Sequence, residues 1–148
     1  GHLQANKTRV VAEHFQWVHT VDRMKIARRL SEQRPHDADD LNVCIEVNID
    51  EEENKSGVAV SELPELAIAV AALPRLRLRG LMCLPAKRDS FAAQRQPFAR
   101  LKSLLDSLNE SGLQLDTLSM GMTADYAAAI QEGATIVRVG TAIFGPRS

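Results

Sequence analysis

One stretch near the C-terminal end, Asp116 to Gly145 (DTLSMGMTADYAAAIQEGATIVRVGTAIFG), constrains the fold more than any other part of the chain. It reads as strand, turn, helix, strand, turn. Asp116 to Met120 is a short apolar run, and Gly121 after it allows a backbone conformation that other residues resist. Thr123 is placed to cap a helix from Ala124 to Glu132, which Gly133 stops. Thr135 to Val139 is a second, β-branched run, closed by Gly140 and Thr141. This order puts Ser119, Thr123 and Thr141 at or just beyond the C-terminal ends of two strands, with Gly121 and Gly140 leaving backbone N–H groups open beside them. Hydroxyls and free amides in such turns make a phosphate cradle. Arg138, at the end of the second strand, is aimed into the same region. A single turn of this kind is ordinary reversal chemistry. Two in succession, with an arginine, favour a site, and in a (β/α)8 barrel the phosphate site commonly follows the last two strands.

The preceding chain alternates in the same way. Lys7 to Phe15 places Val10, Val11, His14 and Phe15 at helical spacing, and Trp17 to Val21 is a short strand. Asp22 is placed to cap a helix to about Gln33, and Arg34 to Asp40 is a polar loop. Leu41 to Ile49 is the clearest strand: Val43, Ile45, Val47 and Ile49 alternate with Asn42, Cys44, Glu46 and Asn48. In an antiparallel sheet the polar face would be solvated; in a barrel Glu46 and Asn48 would point inward near a site. Ser61 is placed to cap a helix to Leu73, Leu76 to Leu84 is a further strand, and Pro97 fits the first position of a helix to Asn109. The resulting order, αβαβαβαβαβ, predicts a parallel α/β protein of five strands in one domain, residues 1–148. Five βα units suit either an open doubly wound sheet or most of a barrel. No GxGxxG follows a strand, which argues against a dinucleotide site.

Composition narrows the function classes. Hydrophobic residues at 45% and charged residues at 25% are a globular mix, and a net charge of −1 gives no reason to expect nucleic acid or an anionic membrane as partner. No run is long enough to span a bilayer. Cys44 and Cys83 lie in apolar strand-like runs and read as free buried thiols of a reducing, cytoplasmic setting. The four histidines are scattered, without metal-ligand spacing.

Several segments together resemble the pyridoxal phosphate homeostasis protein family, whose barrel is similar to the N-terminal domain of alanine racemase. They are GHLQANK at the start, HTVDR at 19–23, ENKSG at 53–57, LRLRGLMCLP at 76–85, DTLSMGMTADYAAAI at 116–130 and TIVRVGTAIFG at 135–145. The resemblance implies a parallel (β/α)8 TIM-barrel type, here an incomplete barrel of about five βα units. It implies pyridoxal 5′-phosphate as cofactor, in a carrier of the cofactor rather than a catalyst. By motif, Ser119 and Thr123 match phosphate ligands, with Thr123 where the family usually has serine. Gly140 and Thr141 match the second half of the phosphate site, and Arg138 matches the arginine facing the cofactor ring or its phosphate. Met82 matches a pocket-lining residue, although core packing is the favoured reading for it. The family's first strand carries the lysine that anchors the cofactor. That strand has no counterpart here, so the anchor is expected to be absent from this chain. Open sheet edges would then lead the fragment to self-associate or to pair with its missing segment. The alternative is a racemase-like enzyme, which needs a second catalytic base. The only tyrosine, Tyr126, is expected to pack within its helix.

Overall fold

The structure, a computed structural model, describes residues 3–138. A turn of 3-10 helix (Ala5–Lys7) leads into α1 (Thr8–His14), β1 (Trp17–Val21), α2 (Met24–Gln33) and β2 (Leu41–Glu46). A second 3-10 turn (Val60–Glu62) precedes α3 (Leu63–Ala71), followed by β3 (Leu76–Met82), α4 (Phe91–Glu110), β4 (Thr117–Met122), α5 (Tyr126–Gln131) and β5 (Ile136–Arg138). The five strands form one sheet in chain order, and every pairing is parallel. Crossovers of one hand between successive neighbours carry every helix to the same side of such a sheet. The chain is therefore a parallel α/β half-barrel: helices cover one face, and the other is concave.

The curl is measurable from a side-chain contact. β1 and β4 are three ladder steps apart, which in a flat sheet is about 14 Å at ~4.8 Å per step. Nevertheless Nδ1 of His19 on β1 lies 2.8 Å from Oγ of Ser119 on β4. At the opposite end of the strands, the Arg79 guanidinium of β3 sits over the Trp17 ring of β1 at 4.8 Å and forms two hydrogen bonds with the Asp116 carboxylate.

The helix-side core follows the alternation of β2. Val43, Ile45 and Val47 are buried there against Ile26 and Leu30 of α2, Leu66 and Val70 of α3, and the Phe98–Leu101–Leu105 stripe of α4. Each such side chain contributes about 1.5–3 kcal/mol on burial. Gly80 is required by close approach: a Cβ there would collide with the Thr117 carbonyl of the neighbouring strand. Gly121 is required by conformation and space together, with φ +103° and a would-be Cβ 2.6 Å from Cβ of Ala129.

Several expected boundaries are corrected. Thr123 does not cap α5. The N-cap is Asp125, whose Oδ1 accepts from the Met122 amide at 2.8 Å, and Gly121 lies inside β4 rather than after it. Asp22 and Ser61 are not the N-cap residues either: α2 begins after Arg23 and α3 after Glu62. Pro97 stands inside α4, not at its start. Ser90 is the cap, accepting from the Ala93 amide at 3.1 Å, so the helix begins well before the proline. β2 and β3 end at Glu46 and Met82, before Ile49 and Leu84. In α1 the apolar spacing misleads: Val10 and Phe15 are 61% and 51% exposed, and Thr8 and Ala12 are the buried residues. The loop after α2 contains a buried arginine, Arg34, which donates to the carbonyls of Ala12, Phe15 and Asp39 and ties down the end of α1.

Candidate functional site

The concave face is lined by the residues of each strand that point away from the helices. On β2 these are Asn42, Cys44 and Glu46, and the solvated reading of that face fails, because Cys44 is fully buried and Glu46 is 3% exposed. The Glu46 carboxylate accepts from the Ser56 hydroxyl at 2.6 Å. Asn48 lies beyond the strand and braces its own loop instead, exchanging hydrogen bonds with the backbone of Glu52. Met82, the last residue of β3, is in register with Glu46 on one side and Ser119 on the other. It is buried, yet it does not belong to the helix-side core. The face it shares with Ser119 and Glu46 is the concave one.

Ser119 is the centre of the arrangement. It is fully buried, and its Oγ has two short contacts: Nη1 of Arg138 donates to it at 2.7 Å, and Nδ1 of His19 lies at 2.8 Å. Nη2 of Arg138 is also buried and has no hydrogen-bond partner among the described residues. A buried guanidinium nitrogen left without an acceptor is costly, so the geometry fits an acceptor supplied by a bound molecule. Thr123 lies half-buried in the turn between β4 and α5. Gly140 and Thr141, expected to complete the cradle, lie outside the described residues. Tyr126 is the first residue of α5 and is 42% exposed.

Burial sets the electrostatics. It depresses the Arg138 guanidinium from its ordinary value, while Cys83, Glu46 and Asp125 act in the opposite sense. The His19 imidazole is likewise depressed, first by burial and then by the neighbouring Arg138 charge. Both thiols are pushed up to about 12, burial being the largest cause for each and the nearby charges acting in both directions. Neither is positioned as a nucleophile. Among the described residues no group of three or more His, Cys, Asp and Glu could hold a metal ion, and no helix is long and apolar enough to cross a membrane.

His19 and Glu46 were not both apparent as site residues. Glu46 showed in the alternation of β2. His19 is part of the HTVDR segment, but nothing local distinguishes it from the other histidines, because its partner is 100 residues away.

A one-sided parallel half-barrel with a half-buried arginine at its strand ends defines the class of protein. The chain belongs to the family described as alanine racemase, N-terminal domain, whose sequence model matches residues 1–148. Within it, the chain is 61% identical over 147 residues to the pyridoxal phosphate homeostasis protein of Pseudomonas aeruginosa, covering 99% of this chain and 63% of that protein. It is 52% identical over 147 residues to the protein of the same name from Escherichia coli strain K12, again covering 99% and 63%. The chain thus spans just under two thirds of the length of these relatives. Among solved structures, PipY of Synechococcus elongatus with PLP bound superposes with a TM-score of 0.88 at 33% identity, over 98% of this chain and 68% of that one. D-threonine aldolase from Filomicrobium marinum, at 22% identity and a TM-score of 0.76 over 94% of this chain and 40% of that one, shares the fold alone.

The thiols provide a direct check of burial on the two faces of the sheet. With a pKa of about 12, roughly one thiol in ten thousand is ionised at pH 8. Ellman's reagent added to the native protein at that pH is expected to find neither Cys44 nor Cys83, and denaturant is expected to release both. Rapid reaction of Cys44 in the native state would show that the concave wall is open, and of Cys83 that the helix-side core is.

Proposed function

We propose that the protein carrying this chain binds pyridoxal 5′-phosphate and serves the homeostasis of that cofactor in the cytoplasm, as a carrier rather than a catalyst. The observation that carries the reading is Nη2 of Arg138, buried beside Ser119 and without a partner among the described residues. The relatives' names and the cofactor-bound PipY structure support it. When bound, pyridoxal 5′-phosphate supplies an electron-accepting ring and an aldehyde that reacts with amines. On this reading Arg138 holds the ring nitrogen or the phosphate, Ser119 holds Arg138, and Met82 packs against the ligand. Thr123, Gly140 and Thr141 supply hydroxyl and amide donors to the phosphate. A guanidinium at the ring nitrogen disfavours a second positive charge there, which weakens the ring as an electron sink and suits carriage over reaction. A racemase-like role would need a base at the ring, and nothing ties the exposed Tyr126 to the Ser119–Arg138 cluster.

The sheet is, on the same proposal, five-eighths of a closed (β/α)8 barrel by strand count. The lysine that anchors the cofactor then belongs outside these 148 residues. Borohydride reduction of the 148-residue polypeptide with pyridoxal 5′-phosphate, followed by peptide mapping, is expected to give no stoichiometric adduct. An adduct confined to Lys7 or Lys55 would place the anchor within this chain instead.

Arg138→Ala in the intact protein is expected to weaken pyridoxal 5′-phosphate binding by about 1–3 kcal/mol, the scale of a hydrogen bond to a charged group. Calorimetric titration measures it, and unchanged affinity with unchanged folding would remove Arg138 from the site.

In the described residues β1 and β5 are the two edges of the sheet. Unpaired parallel edges template pairing with another chain. A polypeptide of these 148 residues alone is therefore expected to self-associate, a two-fold dimer being the simplest closed form. Light scattering over a range of concentrations tests this; a monodisperse monomer with cooperative unfolding at low concentration would refute it.

A further inference from the structure

We propose that His19 is a positioning residue for Arg138, acting through Ser119 as a neutral imidazole that accepts at Nδ1 and carries its proton on Nε2. This rests on the proposed cofactor site and concerns how its arginine is held. The count of protons decides the direction of each contact. A guanidinium only donates, so the 2.7 Å contact from Nη1 of Arg138 uses one lone pair of Ser119 Oγ. The Ser119 hydroxyl has one proton of its own, and its other short contact is Nδ1 of His19 at 2.8 Å. If His19 donated there, Ser119 Oγ would accept twice, and its proton would need a third partner around a fully buried side chain. With Ser119 donating to Nδ1, each contact has one donor and one acceptor, and the imidazole proton is left on Nε2.

The charge balance agrees. An imidazolium would set a second cation against an oxygen already held by a guanidinium. Glu46 and Asp125 act on Arg138, but among the described residues burial and Arg138 are what act on the imidazole. From β1 the Trp17 ring meets the imidazole edge-on at 5.8 Å. From β2 Cys44 is a neutral thiol, and the Glu46 carboxylate is taken up by Ser56. Cys83, just beyond β3, is a neutral thiol as well, and Asp125, the N-cap of α5, accepts from the Met122 amide. Burial and Arg138 both favour the neutral ring.

The consequence lies on Arg138. His19 orients the Ser119 hydroxyl, and that orientation aims the lone pair that receives Nη1. Holding Nη1 holds the plane of the guanidinium, and with it the direction of Nη2, the nitrogen left for the ligand. A histidine on β1 thereby sets the aim of an arginine on β5, across the concave face. The arrangement selects a ligand that presents an uncharged ring nitrogen or an anionic oxygen to Nη2, and disfavours one that presents N–H.

Two measurements on the intact protein test this. The first needs no ligand: nitrogen-15 NMR of the imidazole is expected to show His19 as the neutral Nε2–H tautomer, and Ser119→Ala is expected to abolish that preference. A neutral Nδ1–H tautomer, or an imidazolium at neutral pH, would overturn the proposal. The second compares calorimetric affinity for pyridoxal 5′-phosphate with that for the analogue carrying CH in place of the ring nitrogen. His19→Ala is expected to lose about tenfold in affinity for pyridoxal 5′-phosphate, the scale of one such hydrogen bond, and most of the preference over the analogue. His19→Asn, whose Oδ1 can accept the same proton, is expected to retain both. A folded His19→Ala variant with unchanged affinity and preference would overturn the role. Failure of the unsubstituted protein to bind pyridoxal 5′-phosphate would strike instead at the proposed function, and the tautomer result would still decide the hydrogen-bond direction.

Discussion

Parallel strands paired in chain order force their helices to one side and leave the sheet to curl over the other, and the candidate site depends on that curl. His19 and Ser119 belong to strands that a flat sheet would hold about 14 Å apart, and they meet at 2.8 Å. The same curvature brings Arg79 over Trp17 at the other end of the strands. Local choices permit it. Gly80 lets β3 approach the Thr117 carbonyl of β4, and Gly121, with its positive φ, lets β4 turn beneath α5 without a collision at Ala129. The registers of β1 with β2, β2 with β3, and β4 with β5 each slip at one point, as strands do where a sheet bends.

The concave face then holds a charge away from water. Taking a guanidinium out of solvent is costly unless its hydrogen bonds are replaced. Ser119 replaces one of them, and Glu46 and Asp125 moderate the field. Nη2 is left over. The neighbouring thiols contribute no charge, because the burial that encloses Arg138 also keeps Cys44 and Cys83 protonated. The candidate site thus holds one fixed cation beside protonated thiols and the Glu46 carboxylate, with no activated nucleophile among these thiols.

Where local pattern and observed structure part, the cause is a competing contact. Three expected caps, at Asp22, Ser61 and Thr123, are plausible by residue type, yet α5 takes Asp125 and α4 takes Ser90. Cap preferences are worth about 1 kcal/mol, less than the burial of a single core side chain, so packing decides where each helix begins. Pro97 illustrates the same balance. It stands inside α4 and is buried beside Phe98, and the long apolar stripe continues through it. In α1, Val10 and Phe15 have the right spacing for a core face, but Thr8 bonds to Gln33 of α2 and turns Ala12 inward instead.

The sequence by itself determined the element order, the parallel α/β class, the family and most of the residues proposed for the site. Those follow from periodicity, glycine placement and short motifs, all of which are local. Arg138 could be named because its strand end is visible in hydrophobic patterning, and Met82 because the family resemblance points to it. Only the tertiary structure decided that Ser119 is occupied by two side chains, that Nη2 of Arg138 is left over, and that His19 belongs to the cluster at all. Those facts depend on how far the sheet curls. Curl is the sum of small twists and register slips over five strands, so it brings together residues whose separation in the chain leaves no local signal.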